Sequence, residues 1–439
     1  MTTKLDFERA APIFVLTLVD VLGLTVLLPL LHLYAAKYGA SPLQIGIVLA
    51  AFPLSQLIGV PFMGALSDRF GRKPLLLISQ ITTFIGFIML GAANSLTLIL
   101  LSRVIDGLFG ANIATAQAAL SDITTEETRS QGLGLIGAAF GIGFVFGPLI
   151  SILTLEVSDN LALPAFVAAT YSLISIFLTL FLFKETLPPE RRGGRGRATN
   201  LLAMLKSGQI NVLLLLMFAQ QLIFFGFESL LGLFTLSRLG LLGQGNSLIF
   251  IVVGVTLVYT QLRLIGRWTR KYGERRVVLI ALVLLSVGLI LIAFTPEQPQ
   301  PFYVKRIVER ALSADTDVTS TEAVIGEIAV DLPDDGNNGI GGLLWILVVI
   351  IPLSVGAGMI RPSLNSLMTR RVGREAYGGV LGLSSSAVSA ADAAAPILGA
   401  LIFQQFGSSA PFLLGGVMMG GLFLLSIIVI KQPTLNIKE

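Results

Sequence analysis

Residues 64–74 read GALSDRFGRKP, a charged stretch with two glycines that lies between two long apolar segments. A second stretch at 266–276 reads GRWTRKYGERR; it begins 202 residues later and repeats both glycines and the basic charge. Short basic turns between apolar segments are typical of the cytoplasmic loops of membrane proteins. Because the two copies lie about half a chain length apart, they predict a doubled protein with one such turn in each half.

The composition also indicates a membrane protein. Of the 439 residues, 54% are hydrophobic and 13% are charged, and this charged fraction is about half that of an average soluble domain. The 46 glycines suit transmembrane helices, which pack closely through small residues. The chain has no cysteine and one histidine, His32, which excludes disulfides, thiolate metal sites and histidine-based metal clusters or triads. We therefore expect no metal site, no cofactor and no enzyme.

Twelve apolar segments are each long enough to cross a bilayer, which takes about 20 helical residues. In chain order these predicted spans 1 to 12 lie at 11–34, 43–65, 74–93, 97–120, 131–155, 163–183, 210–236, 245–265, 276–295, 340–368, 376–403 and 409–431. The polar stretch 184–209 after span 6 is rich in proline, glycine and arginine and predicts a cytoplasmic linker. The sequence thus predicts an all-α polytopic membrane protein with two pseudo-symmetric six-helix bundles, at 1–183 and 210–439.

The distribution of charge predicts the orientation. Lysine and arginine concentrate in the loops after spans 2, 6, 8 and 10 and are absent from the loops after spans 3, 5 and 11, so both termini are predicted to face the cytoplasm. An insertion at about 296–339 holds nine acidic and three basic residues and falls on the opposite side. We expect it to form a small extracytoplasmic cap, with a short helix within Tyr303–Leu312, or a partly ordered loop.

Twelve spans in two similar halves, with the turn at 64–74 after span 2, resemble the major facilitator superfamily. Further stretches are similar to its drug/proton antiporters, particularly the tetracycline and multidrug exporter branch: LVDVLGLTVLLPLL at 18–31 and SRVIDG at 102–107. The resemblance implies a gating motif made of Gly64, Asp68, Arg69, Gly71, Arg72 and Lys73. It also implies an antiporter-type motif in span 5 made of Gly134, Gly143, Gly147 and Pro148.

For the gating motif, the resemblance assigns Asp68 to a latch that closes the cytoplasmic side. Its carboxylate could dock at the start of span 11, near Ala376, where a helix N-terminus is positive. The alternative is a turn that only sets the topology. In the second copy Arg270 stands where the first copy has Asp68, so we expect a latch in the first copy only.

Asp20 is the first candidate for proton coupling. It lies nine residues into span 1, about 14 Å along the helix and therefore near the bilayer midplane. A charge at that depth is costly unless it lines a cavity or has a partner. Asp20 is thus a candidate proton carrier or contact for a cationic substrate; the alternative is a structural acid paired with a neighbouring helix.

Arg103 and Asp106 are separated by three residues and share one helix face. The resemblance suggests that Arg103 modulates proton coupling; the alternative is an ion pair that only fixes packing. The span 5 glycines could provide a smooth face along which the halves rock, or ordinary helix packing. The closing glycine pair of the family's motif is here replaced by Ser151 and Ile152.

Several polar or aromatic side chains of the second half could line a substrate cavity or simply make packing contacts. They are Gln220, Gln221, Phe224, Glu228, Arg361 and Asp392. His32 is expected to be an interfacial residue rather than a proton relay.

Together these features predict a proton-coupled secondary transporter, an antiporter that exports small amphipathic or cationic drugs by alternating access. Its expected partners are the lipid bilayer, a small-molecule substrate and protons; we expect a monomer in the bacterial inner membrane and no binding to nucleic acid. A proton symporter or facilitator of a small metabolite is one alternative. A transport-inactive receptor or scaffold that uses the outer insertion is another. No stretch fits a phosphate-binding Walker A loop, which argues against ATP-driven transport.

Overall fold

The computed structural model describes residues 6–124, 129–158, 160–188, 208–312, 330–371 and 377–430. Within these ranges the chain forms fifteen α-helices and no strand. The helices are α1 (Phe7–Leu27), α2 (Leu31–Ala36), α3 (Pro42–Phe70), α4 (Arg72–Gly91), α5 (Leu96–Phe109), α6 (Asn112–Ile123), α7 (Arg129–Val157), α8 (Ala162–Phe181), α9 (Gly208–Leu239), α10 (Gly243–Tyr259), α11 (Ile265–Ala293), α12 (Lys305–Leu312), α13 (Gly341–Thr369), α14 (Tyr377–Phe406) and α15 (Ala410–Val429).

Eleven helical segments of the described chain are long and apolar enough to cross a membrane. One of them, Gly243–Ala293, has 51 residues, far more than the roughly 20 that a single crossing needs. Its backbone leaves the helical conformation at Gly273, with φ 75° and ψ 156°. The helix therefore turns back there, and the architecture is compatible with the twelve predicted spans.

The two repeated turns share one backbone conformation. Gly71 has φ 106° and ψ 164°, close to the values at Gly273, its counterpart 202 residues later. Positive φ combined with ψ near 160° is accessible almost only to glycine. Gly71 and Gly273 are thus explained by a sharp reversal between consecutive spans, at Phe70–Arg72 and again at Tyr272–Glu274.

Two of the predicted spans contain a break in the helix that the sequence prediction did not include. Span 1 ends at Leu27 and resumes as the short α2, and span 4 is divided into α5 and α6 at Gly110. At the second break the Ala111 N–H donates to Ser79 Oγ at 2.6 Å, and Gln56 Nε2 donates to the Gly110 carbonyl at 3.0 Å. A bilayer offers no water to the freed backbone groups, so these side chains make the break possible.

Two helix pairs make most of the contacts between the halves: α3 with α14, and α7 with α10. We call the end of the bundle with Gly71 and Gly273 the motif end, and the opposite end, with residues 28–44 and α12, the cap end. Toward the cap end the paired helices touch, because Gly46 lies against Ala400 and Pro396.

Four hydrogen bonds link the halves at the cap end. They are Leu43 N–H to Gln404 Oε1 (3.1 Å), Asn246 Nδ2 to the Pro29 carbonyl (2.6 Å), Ser247 Oγ to Ser151 Oγ (3.3 Å) and Gln244 Nε2 to Glu156 Oε1 (3.4 Å). At the motif end, a Cβ atom added at Gly64, Gly134, Gly266 or Gly382 would meet no neighbouring atom within 4 Å. The described hydrogen bonds between the halves therefore lie at the cap end, which is closed.

The described parts of the insertion, 296–312 and 330–339, pack at the cap end. The predicted helix within Tyr303–Leu312 is confirmed as α12, which begins at Lys305. Tyr303 Oη donates to the Pro333 carbonyl at 2.7 Å, and Lys305 Nζ pairs with Asp334 Oδ1 at 2.8 Å. These contacts hold the two parts together as a small cap; residues 313–329 lie outside the described chain.

The first turn is held by a network of charges. Arg72 pairs with Asp68 at 2.6 Å and with Asp122 at 2.8 Å. The Glu185 carboxylate accepts from the backbone N–H groups of Arg72 and Lys73, which start α4. A carboxylate at a helix N-terminus is favourable because the backbone N–H groups there are free and the helix end is positive. Through Asp122 and Glu185 the turn is thus bonded to the motif-end termini of spans 4 and 6.

The second turn holds an ion pair with the charges exchanged. Glu274, the counterpart of Arg72 at an offset of 202, pairs with Arg370 and accepts from Ser366 Oγ at 3.2 Å. Arg370 lies 248 residues after Asp122, the same offset that separates Pro148 in span 5 from Pro396 in span 11. Each half therefore ties its turn to its fourth span by one ion pair, but acid and base have changed places.

Replacing Gly71 with alanine is expected to lower the free energy of unfolding by about 1–3 kcal/mol, because a Cβ atom strains the backbone at this φ and ψ. Gly64→Ala is the matched control, since Gly64 lies inside α3 with open space around it. Alanine there should leave stability unchanged or raise it, because it favours a helix over glycine by about 1 kcal/mol. Thermal unfolding of the purified protein in detergent measures both effects, and equal losses would contradict the assigned turn geometry.

Charge reversal tests the exchanged ion pair. Glu274→Arg alone and Arg370→Glu alone are each expected to lower stability by about 1–2 kcal/mol, a modest value because Arg370 is 59% exposed. The double variant should recover at least half of the loss in the same thermal assay. Arg270→Glu changes the charge of the same turn at an exposed site and should have little effect. A double variant no more stable than the singles would show that the pair does not hold the turn.

Candidate functional site

Asp20 lies at the centre of the first half and lacks full hydrogen bonding. Its Oδ1 is inaccessible to solvent and has no donor, and its Oδ2 accepts a long hydrogen bond of 3.5 Å from Gln80 Nε2. Gln80 in α4 is itself held by Ser175 Oγ of α8 at 2.7 Å. An ionised carboxylate prefers several donors, so this site can accommodate a protonated Asp20 as readily as a charged one.

Arg103 and Asp106 form a buried ion pair in α5, with Nη1 and Oδ2 3.4 Å apart. The Arg103 guanidinium also lies 5.6 Å from the ring centroid of Phe87, a cation–π contact. Its Nη2 is buried without a hydrogen-bond partner. The pair predicted from spacing is therefore confirmed, but it is under-bonded on the arginine side.

Asp20 and Asp106 line the same cavity of about 50 Å³. Gln56, Thr83 and Asn112 complete its polar wall, at the point where α5 breaks before α6. The space suffices for water but is far below the roughly 300–1,000 Å³ of a drug-sized site. A water-filled connection between the two carboxylates is what this geometry can support.

Sequence reasoning identified the charged members of this cluster and missed its amides and the helix break. Gln56 and Gln80 are isolated amides within otherwise apolar spans, and that isolation is the signal that could have found them. The break at Gly110 carries no proline. It follows from tertiary hydrogen bonds of Ser79 and Gln56 that hydropathy cannot show.

A second polar cluster forms in the other half around Asp392. Gln221 Nε2 donates to Asp392 Oδ1 at 2.7 Å, and Gln220 Nε2 lies 3.5 Å from Gln221 Oε1. Arg361 on α13 and Glu228 on α9 interact electrostatically with the same carboxylate. The structure thus brings together five of the six residues predicted for a substrate cavity.

The sixth residue, Phe224, is half-buried on the same helix, α9. Its ring centroid lies 5.8 Å from that of the buried Phe227, which in turn meets Phe412 at 5.9 Å. Phe224 therefore forms the accessible edge of an aromatic cluster. Asp20, Gln221, Glu228 and Asp392 are likewise half-buried. Partly accessible polar groups in mid-span normally face an internal space rather than lipid.

The span 5 glycines do not all have the predicted role. Gly143 and Gly147 pack against Thr25 of α1, within the same half, and Gly134 has no neighbour within 4 Å. The face that meets the other half includes Gly141 of α7, opposite Val258, and Gly254 of α10, opposite Phe144. Pro148 lies inside α7. For Gly143 and Gly147 the contacts favour the alternative, ordinary helix packing, because that side of the helix is covered by α1.

In this conformation Asp68 is bonded within its own half. Its side chain is 61% exposed and pairs with Arg72. The guanidinium of Arg69 lies over the Phe70 ring at 5.3 Å, and Lys73 Nζ donates to the Leu180 carbonyl at 2.9 Å. The expected docking position near Ala376 and most of the predicted linker, residues 189–207, fall outside the described chain. The latch remains a prediction.

Comparison with known proteins agrees with this architecture. Residues 13–305 match the sequence profile of the Major Facilitator Superfamily. The chain is 26% identical to the tetracycline resistance protein, class B, of Escherichia coli over 96% of this chain and 94% of that protein. It is 24% identical to multidrug resistance protein 2 of Bacillus subtilis over 95% of this chain and 94% of that protein.

Solved structures show the same fold. The nucleoside transporter NupG superimposes with a TM-score of 0.71 at 12% identity, covering 97% of this chain and all of that one. The human organic anion transporter MFSD10 gives a TM-score of 0.65 at 24% identity, covering 97% and 99%. The profile match spans well over half of the chain. The chain therefore belongs to the Major Facilitator Superfamily, and it is an integral membrane transporter rather than an enzyme.

Proposed function

We propose that this protein is a proton-coupled antiporter that exports small amphipathic or cationic compounds. The observation that carries the proposal is Asp20: a mid-span carboxylate with one oxygen unbonded, on the wall of a water-sized cavity. Relatives along nearly the whole chain are a tetracycline resistance protein and a multidrug resistance protein, which supports export of toxic compounds.

Asp20 is proposed as the proton carrier. A neutral carboxyl group in hydrocarbon is much less costly than a charged one, so protonation allows the bundle to close around Asp20. Loss of the proton leaves a negative charge that attracts a cation or water. Asp20 can therefore either bind a proton or attract a cationic substrate, but not both at once. An exchanger of protons for substrate requires this mutual exclusion. Arg103 and Asp106 border the same cavity and are proposed to modulate proton transfer.

The substrate is proposed to bind in the space between the halves, since the 50 Å³ cavity cannot hold it. Asp392 and Glu228 would attract a positive group, and Phe224 would cover an apolar one. Arg361 limits the negative charge of that wall. These side chains lie on α9, α13 and α14, so a ligand between them and Asp20 touches both halves.

The cycle requires opening and closing at both ends. With the termini and the motif end in the cytoplasm, as the loop charges predict, and the cap end closed, we propose that this conformation opens toward the cytoplasm. When the motif end closes, the ion pair between Asp68 and Arg72 is proposed to weaken, and the Asp68 carboxylate is proposed to dock at the start of span 11. We propose that the protein is a monomer in the bacterial inner membrane and that its linker lies in the cytoplasm.

A proton symporter remains the second candidate because Ser151 replaces a glycine of the antiporter-type motif. Ser151 is fully buried and lies 3.3 Å from Ser247 of the other half. A serine is small enough for close helix contact, and here it adds a polar link at the cap end. The replacement therefore does not remove the packing that the motif supplies, and antiport is favoured.

Inside-out vesicles test both antiport and the role of Asp20. With an acid interior, adding tetracycline or ethidium should dissipate the pH gradient in the wild type, because inward substrate movement is exchanged for outward protons. Asp20→Asn should lower the initial rate at least about tenfold, since the amide cannot carry a proton. Glu8→Gln removes an exposed acid near the N-terminus of α1 and should leave the rate unchanged.

The outcomes separate the two claims. If a compound accumulates in wild-type vesicles without releasing protons, antiport is wrong. If protons are released equally by the wild type and by Asp20→Asn, antiport stands and Asp20 is a structural acid.

A further inference from the structure

The single histidine lies where the two halves meet at the cap end. We call this contact, formed by Pro29 and His32 of one half and Gly232 and Asn246 of the other, the cap-end joint. His32 in α2 is 3% exposed, and its ring packs against Gly232 of α9 in the other half. Three residues earlier, the Pro29 carbonyl accepts the hydrogen bond from Asn246 of α10. The imidazole is therefore enclosed by both halves and becomes accessible only if they separate at this end.

The enclosed ring has no acceptor for a second proton. His32 Nε2 is inaccessible to solvent and has no hydrogen-bond partner, and no carboxylate in the described chain forms an ion pair with the ring. An imidazolium carries two N–H donors and needs an acceptor or water for each. A charged His32 is therefore incompatible with the closed joint.

Few charged groups surround His32, and none offsets its charge. The short helix α2 packs on α3, α5 and α9. In α3 the only charged residues are Asp68 and Arg69, at the opposite end of the bundle. On its own segment, Tyr34 donates to the Leu161 carbonyl. Lys37 follows at the end of α2.

The remaining neighbours are similar. In α5 Arg103 and Asp106 are paired with each other, and α10 contains no charged residue. On α9, Arg238 is bound by Glu297 at 2.7 Å. Glu228 lies one turn deeper than Gly232, toward the middle of the membrane. Protonation of His32 would thus leave a buried cation without a counter-ion in contact.

We propose that His32 is the proton sensor of the cap-end joint: the halves close there only around a neutral imidazole, and a proton bound to His32 holds the joint open. Because the open state binds the proton and the closed state does not, linkage requires acid to favour the open state. With the cap end outside, the side from which protons enter would be kept open by acid. This inference depends on the fold and the joint, and it stands whether or not Asp20 carries protons.

The size of the effect follows from one proton. An exposed histidine titrates near pH 6.5. If only the open state is protonated, the ratio of open to closed molecules rises about tenfold between pH 7.5 and pH 5.5. Below about pH 5.5 the ratio keeps increasing about tenfold per pH unit, and above about pH 7.5 it becomes independent of pH.

A distance measurement across the joint tests the proposal directly. The chain has no cysteine, so Val157→Cys and Phe302→Cys together place one spin label on each half at the cap end. Both sites tolerate a label, because Val157 is 80% and Phe302 is 92% exposed. In nanodiscs without substrate, the long-distance population should grow about tenfold relative to the short one between pH 7.5 and pH 5.5. An unchanged distribution would overturn the proposal.

The variant His32→Gln keeps a polar side chain that cannot become charged at these pH values. In the same labelled protein it should abolish the pH-dependent shift. Glu8→Gln, which removes an exposed acid near the N-terminus of α1, should retain the shift when measured in parallel. If the shift survives His32→Gln, another group is the sensor and the proposal is wrong.

A second measurement needs no substitution at the joint. Since His32 is the only histidine, histidine-selective isotope labelling of the protein, purified with a tag that lacks histidine, gives a single imidazole signal. Protonation should appear together with the long-distance population. A ring that becomes charged while the joint stays closed would overturn the proposal even if His32→Gln does not fold.

Discussion

The hydrocarbon core of a bilayer supplies no hydrogen-bond partners, and the rest of this structure depends on that constraint. Every departure from a continuous helix must be satisfied by the protein itself. Where α5 ends before α6, Ser79 and Gln56 bind the freed backbone groups. Where span 1 breaks after α1, Asn246 of the other half binds the Pro29 carbonyl. The break between α5 and α6 forms part of the wall of the Asp20 cavity, and the break after α1 forms part of the cap-end joint.

Against this background, buried polar atoms without a partner are informative where the group can carry a charge. Of twelve such side-chain atoms in the described chain, three belong to chargeable groups of the first half: Asp20 Oδ1, Arg103 Nη2 and His32 Nε2. A charged group left unbonded in hydrocarbon is costly, and such groups in membrane spans normally belong to functional sites. All three lie in spans 1 and 4 of the first half. In the second half Gln221 supplies a donor to Asp392, and among its described charged groups Arg275 Nε is buried without a partner.

Much of the fold could be predicted from the sequence, because segments that cross the lipid must be apolar and cytoplasmic loops are enriched in lysine and arginine. The repeat of Gly71 at Gly273 located the paired turns correctly, since the backbone conformation at these two positions is accessible almost only to glycine. For Gly143 the sequence was not sufficient. Its spacing predicts which face of the helix it lies on, but only the structure shows that α1 packs against that face. Likewise Asp20 is visible as an acid in an apolar span, whereas its partner Gln80 is defined by a contact between distant segments.

The exchanged ion pairs show what the internal repeat preserves. In both halves a turn beginning with glycine is tied to the span that ends beside it, by Arg72 and Asp122 or by Glu274 and Arg370. An ion pair works equally well with its charges reversed, so each pair could be inverted as a unit without loss of packing. A latch has no such freedom, because a helix N-terminus attracts only an acid. The geometry of the turn is therefore symmetric while its chemistry is not, and only the half with Asp68 carries the acid that the proposed latch needs.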